Sequence, residues 1–345
     1  FTAPSITATI EQGGSMYQAQ FDYRQNKEWA GTITRTKINP DGSLDTKDSG
    51  NWSAVDQMPA PAKRKIWSVI PSTDYKTDYN NFRDSNATAV GNLVAIYTND
   101  ILDYHRDSNN ADGSTNNRRC ANSPGVIDGT TDDLKGLINF VRGQDYFDYD
   151  SDCNLTETRK NPLGDIYHSQ LVVVGAPSAE TAFVSTNQEA YYRKLKGYDA
   201  WAASLASRKE IIYAGSNSGI LHAFDAKTGK EEWGFIPPFV GALIPQIVNP
   251  DYDGPSDTQG GTNPIFGVDG SPVVHDVFIR GYDQDGNLEG SKSWRTLLFV
   301  NYGRGGPGFS VLDITAPIPV GGRGPIHMFS VYNDKINNKV LVANH

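Results

Sequence analysis

Residues 147–158, read as FDYDSDCNLTET, place an aspartate at every second position and then a cysteine. Alternating carboxylates of this kind suit calcium, which takes about six to eight oxygen ligands from carboxylates, carbonyls and water. An asparagine just after the cysteine could add a carbonyl oxygen, and a glutamate further on could close the loop. The first candidate calcium site therefore consists of Asp148, Asp150, Asp152, Asn154 and Glu157.

The same segment departs from the EF-hand, a calcium loop with a similar spacing of ligands. Cys153 stands where an EF-hand has the glycine of its sharp turn, and Arg159 stands where it has a bidentate glutamate. The segment is therefore not an EF-hand, and a compact Asp-rich loop closed by Glu157 is the calcium arrangement that it allows. A solvated acidic loop without metal is the alternative.

A second acidic stretch, DQDGNLEGS at 283–291, also offers oxygen ligands at alternate positions. The same residues suit an ordinary turn between two strands, because aspartate, glycine and asparagine favour turn conformations. This stretch is a second candidate calcium site, with the plain turn as its alternative. Its candidate ligands are Asp283, Asp285, Asn287, Glu289 and Ser291.

The two cysteines, Cys120 and Cys153, both lie in segments rich in Asn, Asp, Ser and Gly. A structural unpaired cysteine normally lies among apolar residues, so this placement favours a disulfide between them over two free thiols. A disulfide implies an oxidising compartment outside the cytoplasm. Closing a loop of this length would stabilise the folded chain by roughly 3–4 kcal/mol.

The composition is that of an acidic globular protein with many short elements. Apolar residues make up 38% and charged residues 21% of the chain, and its 34 Gly and 19 Pro break it too often for a helix bundle. The formal net charge of −9, with no basic run longer than AKRKI at 62–66, disfavours nucleic acid as a partner. Apolar runs such as LVVVGAP at 171–177 are too short to span a bilayer.

Turn residues divide the chain into short segments of β type. SMYQAQFDY, EWAGTITRTKI and KRKIWSVIP read as early strands, and IIYAG, ILHAFD and EEWGFIP read as consecutive hairpin strands. Apolar spacing predicts one helix over 130–143 and a second over roughly 187–207. We expect a single domain over 1–345, with a loop-rich insertion at 71–128. Repeated strand–turn–strand units with Gly and Asp in the turns are typical of propeller blades.

Several segments in a fixed order carry a resemblance to a known family: GLINFVRGQD, LGDIYHSQLVVVGAP, IIYAGSNSGILHAFDAKTGKEEWGFIP, FGVDGSPVVHDVF and WRTLLFVNYGRGGPGFSVLDIT. With MYQAQFDYRQNKEWAGTITRTKI near the start, the series resembles the C-terminal domain of the PilY/PilC family of type IV pilus tip-associated adhesins and biogenesis factors. The resemblance covers nearly the whole chain outside the insertion. It implies a mainly β fold, a modified seven-bladed β-propeller that is incomplete in this chain, with inserted helices.

The resemblance also implies a location, partners and a metal. Members of the family are exported through the periplasm and displayed outside the cell at the pilus tip. They act with the minor pilins in pilus extension and twitching motility, and attach to host or abiotic surfaces. Their calcium loop, of DxDxDxxxD type, is associated with control of retraction, and the second candidate loop departs from it at Asn287 and Ser291. The resemblance implies no enzymatic activity.

An enzyme is nevertheless one alternative. AFDAKTGKEEW at 223–233 also resembles the repeat of quinoprotein dehydrogenases. In this sequence a structural account of the repeat suffices: Asp225 can cap the turn, Gly229 can take a positive φ, and Trp233 can pack between blades. His222, within the adjoining strand, is expected to be a packed, hydrogen-bonded residue.

A second alternative is a purely structural role in pilus assembly, without adhesion. Exposed aromatic residues in the 71–128 insertion would favour adhesion over that role, because apolar surface clusters mark binding sites. The residues concerned are Tyr75, Tyr79 and Phe82.

Overall fold

A computed structural model describes residues 2–7, 14–22, 30–95, 131–146, 154, 156–184, 186–247 and 265–344. Strands hold 33% of the structure and helices 19%. The mainly β class predicted from the sequence is therefore confirmed. No helix in the described ranges has both the length and the apolar character needed to cross a membrane.

The first sheet is built by the early part of the chain. Its central pair joins antiparallel strands in a continuous register from Ser15 opposite Lys37 to Asp22 opposite Ala30. This pairing confirms the two strands predicted there. The strands are Thr2–Thr7 (β1), Ser15–Asp22 (β2), Ala30–Ile38 (β3), Leu44–Asp45 (β4) and Trp52–Ser53 (β5), in the order β1-β2-β3-β4 with β5 also paired to β3.

The second sheet contains the predicted consecutive hairpins and an early strand at its edge. The early strand pairs in parallel with the last hairpin strand, while the other pairs are antiparallel. One edge of the sheet is therefore formed by a strand that is distant in sequence from the others. Its strands are Ile66–Ser68 (β6), Val172–Val174 (β7), Ile211–Gly215 (β8), Leu221–Asp225 (β9) and Glu231–Ile236 (β10), in the order β6-β10-β9-β8-β7.

The third sheet is an antiparallel meander in which every strand pairs with the next one in sequence. Such local connections need only short turns, in agreement with the turn residues that the sequence places between apolar segments. The strands are Val273–Ile279 (β11), Ser293–Asn301 (β12), Gly308–Asp313 (β13), Ile326–Asp334 (β14) and Lys339–Asn344 (β15).

The sheets stack in chain order, with the second between the other two. Along β8, Ile211 and Tyr213 pack in a core shared with the third sheet, whereas Ile212 and Ala214 pack in a core shared with the first. Both faces of β8 are buried, so successive side chains serve two different cores. Stacked antiparallel sheets are the arrangement of propeller blades. None of the described sheets closes on itself, and the propeller ring stays a prediction.

In the described ranges, four α-helices lie between strands of the second sheet, and five short 3₁₀ segments lie between strands along the chain. The helix predicted over 130–143 is confirmed as α2, and Gly143 follows it with φ +101°. The α-helices are Ala87–Val94 (α1), Thr131–Val141 (α2), Gln188–Leu195 (α3) and Tyr198–Ser204 (α4); the 3₁₀ segments are Val55–Gln57, Pro61–Lys63, Asp84–Asn86, Gly241–Ile247 and Gly303–Gly305.

The single helix predicted over 187–207 is wrong. Gly197 adopts a left-handed conformation with φ +69° and separates α3 from α4. The break redirects the apolar side chains: Tyr191 and Leu195 are 49% and 62% exposed, while Tyr198 is buried. A continuous apolar spacing across a glycine therefore gave two helices that bury different faces.

The described part of the predicted insertion, residues 71–95, contributes to the core. Tyr79 and Phe82 are buried, as are Val90 and Val94 of α1. The condition under which Tyr79 and Phe82 would favour adhesion, exposure at the surface, is therefore not met, because both rings pack inward. Residues 96–128 lie outside the described residues.

Glycine-rich turns hold the stacked sheets together at one end of the strands. A Cβ on Gly305 would collide with the carbonyl oxygen of Gly267, and one on Gly267 would lie 2.5 Å from the backbone nitrogen of Gly219. The turns before β9, before β11 and before β13 thus pack backbone against backbone. Only glycine permits so close an approach.

Candidate functional site

Most of the first candidate calcium site lies outside the described residues. Asp148, Asp150 and Asp152 belong to that part of the chain, and so do both cysteines of the predicted disulfide, Cys120 and Cys153. The structure describes the two remaining candidate ligands, Asn154 and Glu157.

The two ends of the first candidate loop are held together by backbone hydrogen bonds. Gln144 and Thr158 form an isolated antiparallel bridge. The amide of Asp145 donates to the carbonyl of Glu157 at 2.9 Å, and the amide of Arg159 donates to the carbonyl of Gly143 at 2.9 Å. The chain between 146 and 157 therefore leaves and re-enters the fold at one fixed point.

Side chains near the bridge between Gln144 and Thr158 anchor the ends of the loop to α2. The Arg159 guanidinium lies 4.4 Å from the ring centroid of Phe140, and its Nε donates to the Phe140 carbonyl at 3.2 Å. In the loop itself, the Asn154 Nδ2 donates to the Glu157 Oε2 at 3.1 Å. The two described candidate ligands are thus neighbours, at the side of the loop that returns to the fold.

The second candidate loop connects β11 and β12 and forms a compact turn. The Asp283 carboxylate accepts the amides of Asp285 at 3.0 Å and Asn287 at 2.8 Å, and also the Nδ2 of Asn287 at 3.2 Å. These hydrogen bonds, led by the one from the Asn287 amide, lower the pKa of Asp283. Gly286 completes the turn with φ +84°. The structure therefore brings Asp283 and Asn287 together as turn partners.

The other candidate ligands of this loop are not part of the hydrogen bonding between Asp283 and Asn287. Glu289 forms an ion pair with Arg295 on β12. The Lys76 ammonium donates to the Asp285 carbonyl at 3.1 Å, which places a positive charge beside an oxygen that a calcium ion would need. Ser291 is exposed. Across the described ranges, no group of three or more His, Cys, Asp or Glu side chains could hold a metal ion.

A buried polar network lies beneath the hairpin of β9 and β10. The Arg64 guanidinium donates to both oxygens of Glu231, from Nε at 2.6 Å and from a terminal nitrogen at 2.8 Å. The Nδ1 of His222 is 2.7 Å from the same carboxylate, and its Nε2 is 2.9 Å from the hydroxyl of Ser216. The prediction that His222 is a packed, hydrogen-bonded residue is confirmed.

The Ser216–His222–Glu231 order has the hydrogen-bond pattern of a catalytic triad, in which a base is oriented by a carboxylate. All three side chains are buried, however, and Arg64 engages the carboxylate from the far side. Burial lowers the pKa of His222 despite the carboxylate beside it, so the imidazole is neutral near pH 7. The arrangement therefore serves as a structural link between Arg64 and the hairpin. Sequence reasoning did not identify the trio, because its members come from the turn between β8 and β9, from β9 and from β10, and only the pairing of these strands brings them together.

The quinoprotein-like segment 223–233 is used structurally. The Asp225 carboxylate accepts the amides of Lys227 at 2.8 Å and Thr228 at 2.9 Å, and Gly229 has φ +74°. Trp233 is fully buried in the core between the second and third sheets, and its Nε1 donates to the Pro317 carbonyl at 2.8 Å. The roles predicted for Asp225 and Gly229 are confirmed, and Trp233 packs between two sheets, while the assignment of those sheets as propeller blades stays a prediction.

Comparison with known proteins adds a relationship that the geometry alone does not give. Over 324 residues, 91% of the chain, it is 29% identical to the type IV pilus biogenesis factor PilY1 of Pseudomonas aeruginosa strain UCBPP-PA14. Over 183 residues, 52% of the chain, it is 34% identical to a PilY1 homolog of Xylella fastidiosa. The chain is PilY1-like. The resemblance to the PilY/PilC family noted from the sequence is confirmed.

The PilY1-like chain covers only part of these relatives, 23% of the Pseudomonas protein and 13% of the Xylella protein. A shorter similarity, 37% identity over 85 residues or 24% of the chain, relates it to the quinoprotein alcohol dehydrogenase PedE of Pseudomonas putida, of which it covers 13%. No protein-family model matches the chain, and no solved structure matches it significantly.

Proposed function

We propose that this PilY1-like chain is a section of a type IV pilus biogenesis factor that is exported through the periplasm and acts outside the cell at the pilus tip. The observation that supports the proposal most is the alignment of 91% of the chain with PilY1. Stacked sheets tied by glycine turns give a rigid scaffold, and a rigid scaffold that presents loops is suited to binding. The proposed role is binding to minor pilins, without catalysis.

Immunogold labelling tests the proposed location. Antibodies raised against residues 1–345 would be applied to intact piliated cells of the bacterium that makes the protein, with a deletion strain as the control for specificity. We expect gold particles at the free ends of pili and co-purification of the chain with minor pilins from sheared filaments. Label confined to the cell body, with no chain in the sheared fraction, would contradict the tip location.

We further propose that the protein is an adhesin and that residues 96–128 contribute specificity. Tyr79 and Phe82 give no support to adhesion, because they are buried. The test is therefore restricted to scrambling residues 96–128, which leaves α1 and the core aromatics unchanged. Reduced attachment to host cells or abiotic surfaces with normal pilus number is the expected result. Unchanged attachment would instead favour a purely structural role in pilus assembly.

Calcium binding is proposed for the first candidate loop in preference to the second. The ends of the first loop are fixed by the bridge between Gln144 and Thr158, which would reduce the entropy cost of gathering its aspartates around an ion. In the second loop, Asp283 already caps a turn and Glu289 pairs with Arg295. We propose that calcium in the first loop orders it for control of pilus extension and retraction.

Calorimetric titration of the chain with CaCl₂ distinguishes the two loops. An extracellular site of this kind would have a Kd on the order of 10⁻⁴–10⁻³ M. We expect Asp150→Ala to abolish the binding heat and Asp285→Ala to preserve it. The reverse result would transfer the site to the second loop, and a chain without any calcium heat would remove calcium from the proposal.

The proposed disulfide between Cys120 and Cys153 is tested separately. Mass spectrometry of the protein alkylated without reduction would show two unmodified cysteines and a linked peptide pair if the bridge exists. Alkylation of both thiols in the folded, unreduced protein would contradict it. Cys120→Ser, which leaves one thiol, is the matched control because it exposes Cys153 to the same reagent.

An enzymatic role of quinoprotein type is the second candidate, favoured by the similarity to PedE. We propose that this similarity reflects shared packing, since Asp225 and Trp233 are both engaged in structural contacts. Reduction of an electron-acceptor dye by the chain with added quinone cofactor and alcohol tests this alternative. We expect no rate above that of the cofactor alone; a rate that depends on the protein would favour the enzyme.

A further inference from the structure

An open cleft of about 380 Å³ lies between the segment around residues 63–80 and the turn at 319–323. Its charged lining consists of Lys63, Lys65, Arg323 and Asp78. The lining of the cleft includes none of the described candidate calcium ligands, although Gln284 of the second candidate loop hydrogen-bonds to its Tyr79. Nothing in the proposed pilus function depends on the cleft. It is a concentration of positive charge on a chain whose formal net charge is −9.

The positive charges of the cleft have no partners within the described part of the chain. Lys63, Lys65 and Arg323 make neither ion pairs nor side-chain hydrogen bonds there. The one carboxylate of the lining, Asp78, is already paired with Arg83 at 3.0 Å and accepts the amide of Asn80 at 2.9 Å. Three cations therefore share one cleft whose single carboxylate is paired with Arg83.

The sequence run AKRKI at 62–66 explains how two of the cations reach the cleft. Lys63 and Lys65 are exposed, whereas Arg64 between them is buried and bound to Glu231. The buried ion pair fixes the backbone of this segment, so the flanking lysines project outward from a rigid support. In this run the buried arginine therefore has a structural role, and the two exposed lysines are available to a ligand.

The opposite wall is a tight turn that exposes its backbone. Val320 and Arg323 form an antiparallel bridge, and Gly321 and Gly322 between them have φ +60° and +76°. A Cβ on either glycine would meet nothing within 4 Å, so the turn is open to the solvent. Successive residues of this conformation present backbone N–H groups that suit an anion.

The floor of the cleft is held by Tyr79. Its hydroxyl donates to the Pro325 carbonyl at 3.0 Å and accepts from the Nε2 of Gln284 at 2.7 Å. Its ring lies against Gly324, where a Cβ would approach the ring carbon Cζ to 2.6 Å. The two walls are thus connected through a buried aromatic residue, which makes the cleft a preformed feature of the fold.

We propose that this cleft binds a compact polyanionic ligand, one that carries two or more phosphate, sulfate or carboxylate groups. The volume is that of a small-molecule site. Charge-assisted hydrogen bonds to lysine and arginine are the strong contacts that such groups make. A compact ligand is favoured over an extended nucleic acid, because the cations are confined to one cleft of an acidic protein.

The test is calorimetric titration of the full chain at low ionic strength with three separate probes: inorganic pyrophosphate, a heparin-derived disaccharide and citrate. These distinguish phosphate, sulfate and carboxylate as the preferred anion. We expect at least one probe to bind. Lys65→Gln and Arg323→Gln should each weaken that binding by about two- to fivefold, because each removes one exposed charge contact. Added NaCl should weaken it further.

Lys227→Gln is the matched control, since Lys227 is an exposed lysine outside the cleft. The exposed positions of Lys65 and Arg323 predict unchanged thermal unfolding for both variants, so a lost affinity would not come from lost folding. The proposal would be overturned if none of the probes binds. It would also be overturned if the cleft variants bind as the unmodified chain does, or if Lys227→Gln weakens binding as much as they do.

Discussion

Replacing Glu231 with glutamine tests the buried network beneath the second sheet. The Glu231 carboxylate accepts two hydrogen bonds from Arg64, at 2.6 and 2.8 Å, and lies 2.7 Å from the Nδ1 of His222. Both side chains of the Arg64–Glu231 pair have no solvent exposure. Glutamine keeps the size of the side chain and one oxygen acceptor, so the main change is the loss of the negative charge.

The size of the expected loss of stability follows from the burial of the Arg64 guanidinium. Burial by itself would raise the pKa of Glu231, but the Arg64 charge and the hydrogen bonds from Arg64 and His222 outweigh it and hold that pKa well below its usual range. The carboxylate is therefore ionised at neutral pH, and its removal leaves Arg64 buried without a counter-charge. Breaking a buried pair in this way costs about 3–5 kcal/mol.

Urea unfolding followed by tryptophan fluorescence measures this cost. Glu232→Gln is the matched control: its carboxylate is adjacent in sequence, partly exposed, and pairs with Lys209 at 2.5 Å. We expect a loss of about 3–5 kcal/mol for Glu231→Gln and of less than about 1 kcal/mol for Glu232→Gln. Equal small losses for both variants would refute the reasoning that the buried charge is essential.

The pH dependence provides a second check on the same variant. A carboxylate whose folded pKa is depressed contributes stability above its unfolded pKa, ordinarily 4.5 for Glu231, and loses that contribution as the pH falls. The stability difference between the unmodified chain and Glu231→Gln should therefore narrow below about pH 4.5. A difference that stays constant from pH 7 to pH 3 would contradict the assigned ionisation.

Three further predictions concern other parts of the fold. Gly305→Ala should destabilise the chain by about 1–3 kcal/mol in urea unfolding, since the new methyl group would collide with the backbone of a neighbouring turn; Gly290→Ala, which meets nothing within 4 Å, should have little effect. Trp233→Phe should cost about 1–3 kcal/mol, because it leaves the partly buried Pro317 carbonyl without its donor; an unchanged urea midpoint would contradict the packing role. Burial raises the pKa of Asp165 to about 6, so this group lowers the stability of the fold progressively as the pH rises from about 4 to 6. Asp165→Asn should remove that decline and gain roughly 3 kcal/mol at pH 7. A urea-derived stability that falls equally with pH in both proteins would refute this prediction.

The elements that the sequence predicts well are those with local signals. The hairpins of β8, β9 and β10 follow from β-branched and aromatic runs separated by the turns SNSG and AKTGK. The helix α2 follows from apolar residues at helical spacing and a terminal glycine. In each case the contacts that decide the structure join residues close together in the chain, so the local sequence is enough to predict the element.

Contacts between distant residues account for what the sequence did not predict. Arg64 and Glu231 are 167 positions apart, and only the pairing of β6 with β10 brings them together. The break at Gly197 was missed because the apolar spacing continues across it. In the second calcium candidate, the Asp285 carbonyl accepts a hydrogen bond from Lys76, 209 positions away, a contact that the loop sequence itself does not indicate.

The most direct test of the central claim is an in-frame deletion of the segment that encodes residues 1–345 in the bacterium that makes the protein. Surface pili would be counted by electron microscopy and twitching zones measured, with the unmodified segment restored on a plasmid as the control. The account predicts loss of surface pili and twitching despite normal pilin levels, and recovery on complementation. Normal numbers of functional pili in the deletion strain would contradict a role in pilus biogenesis.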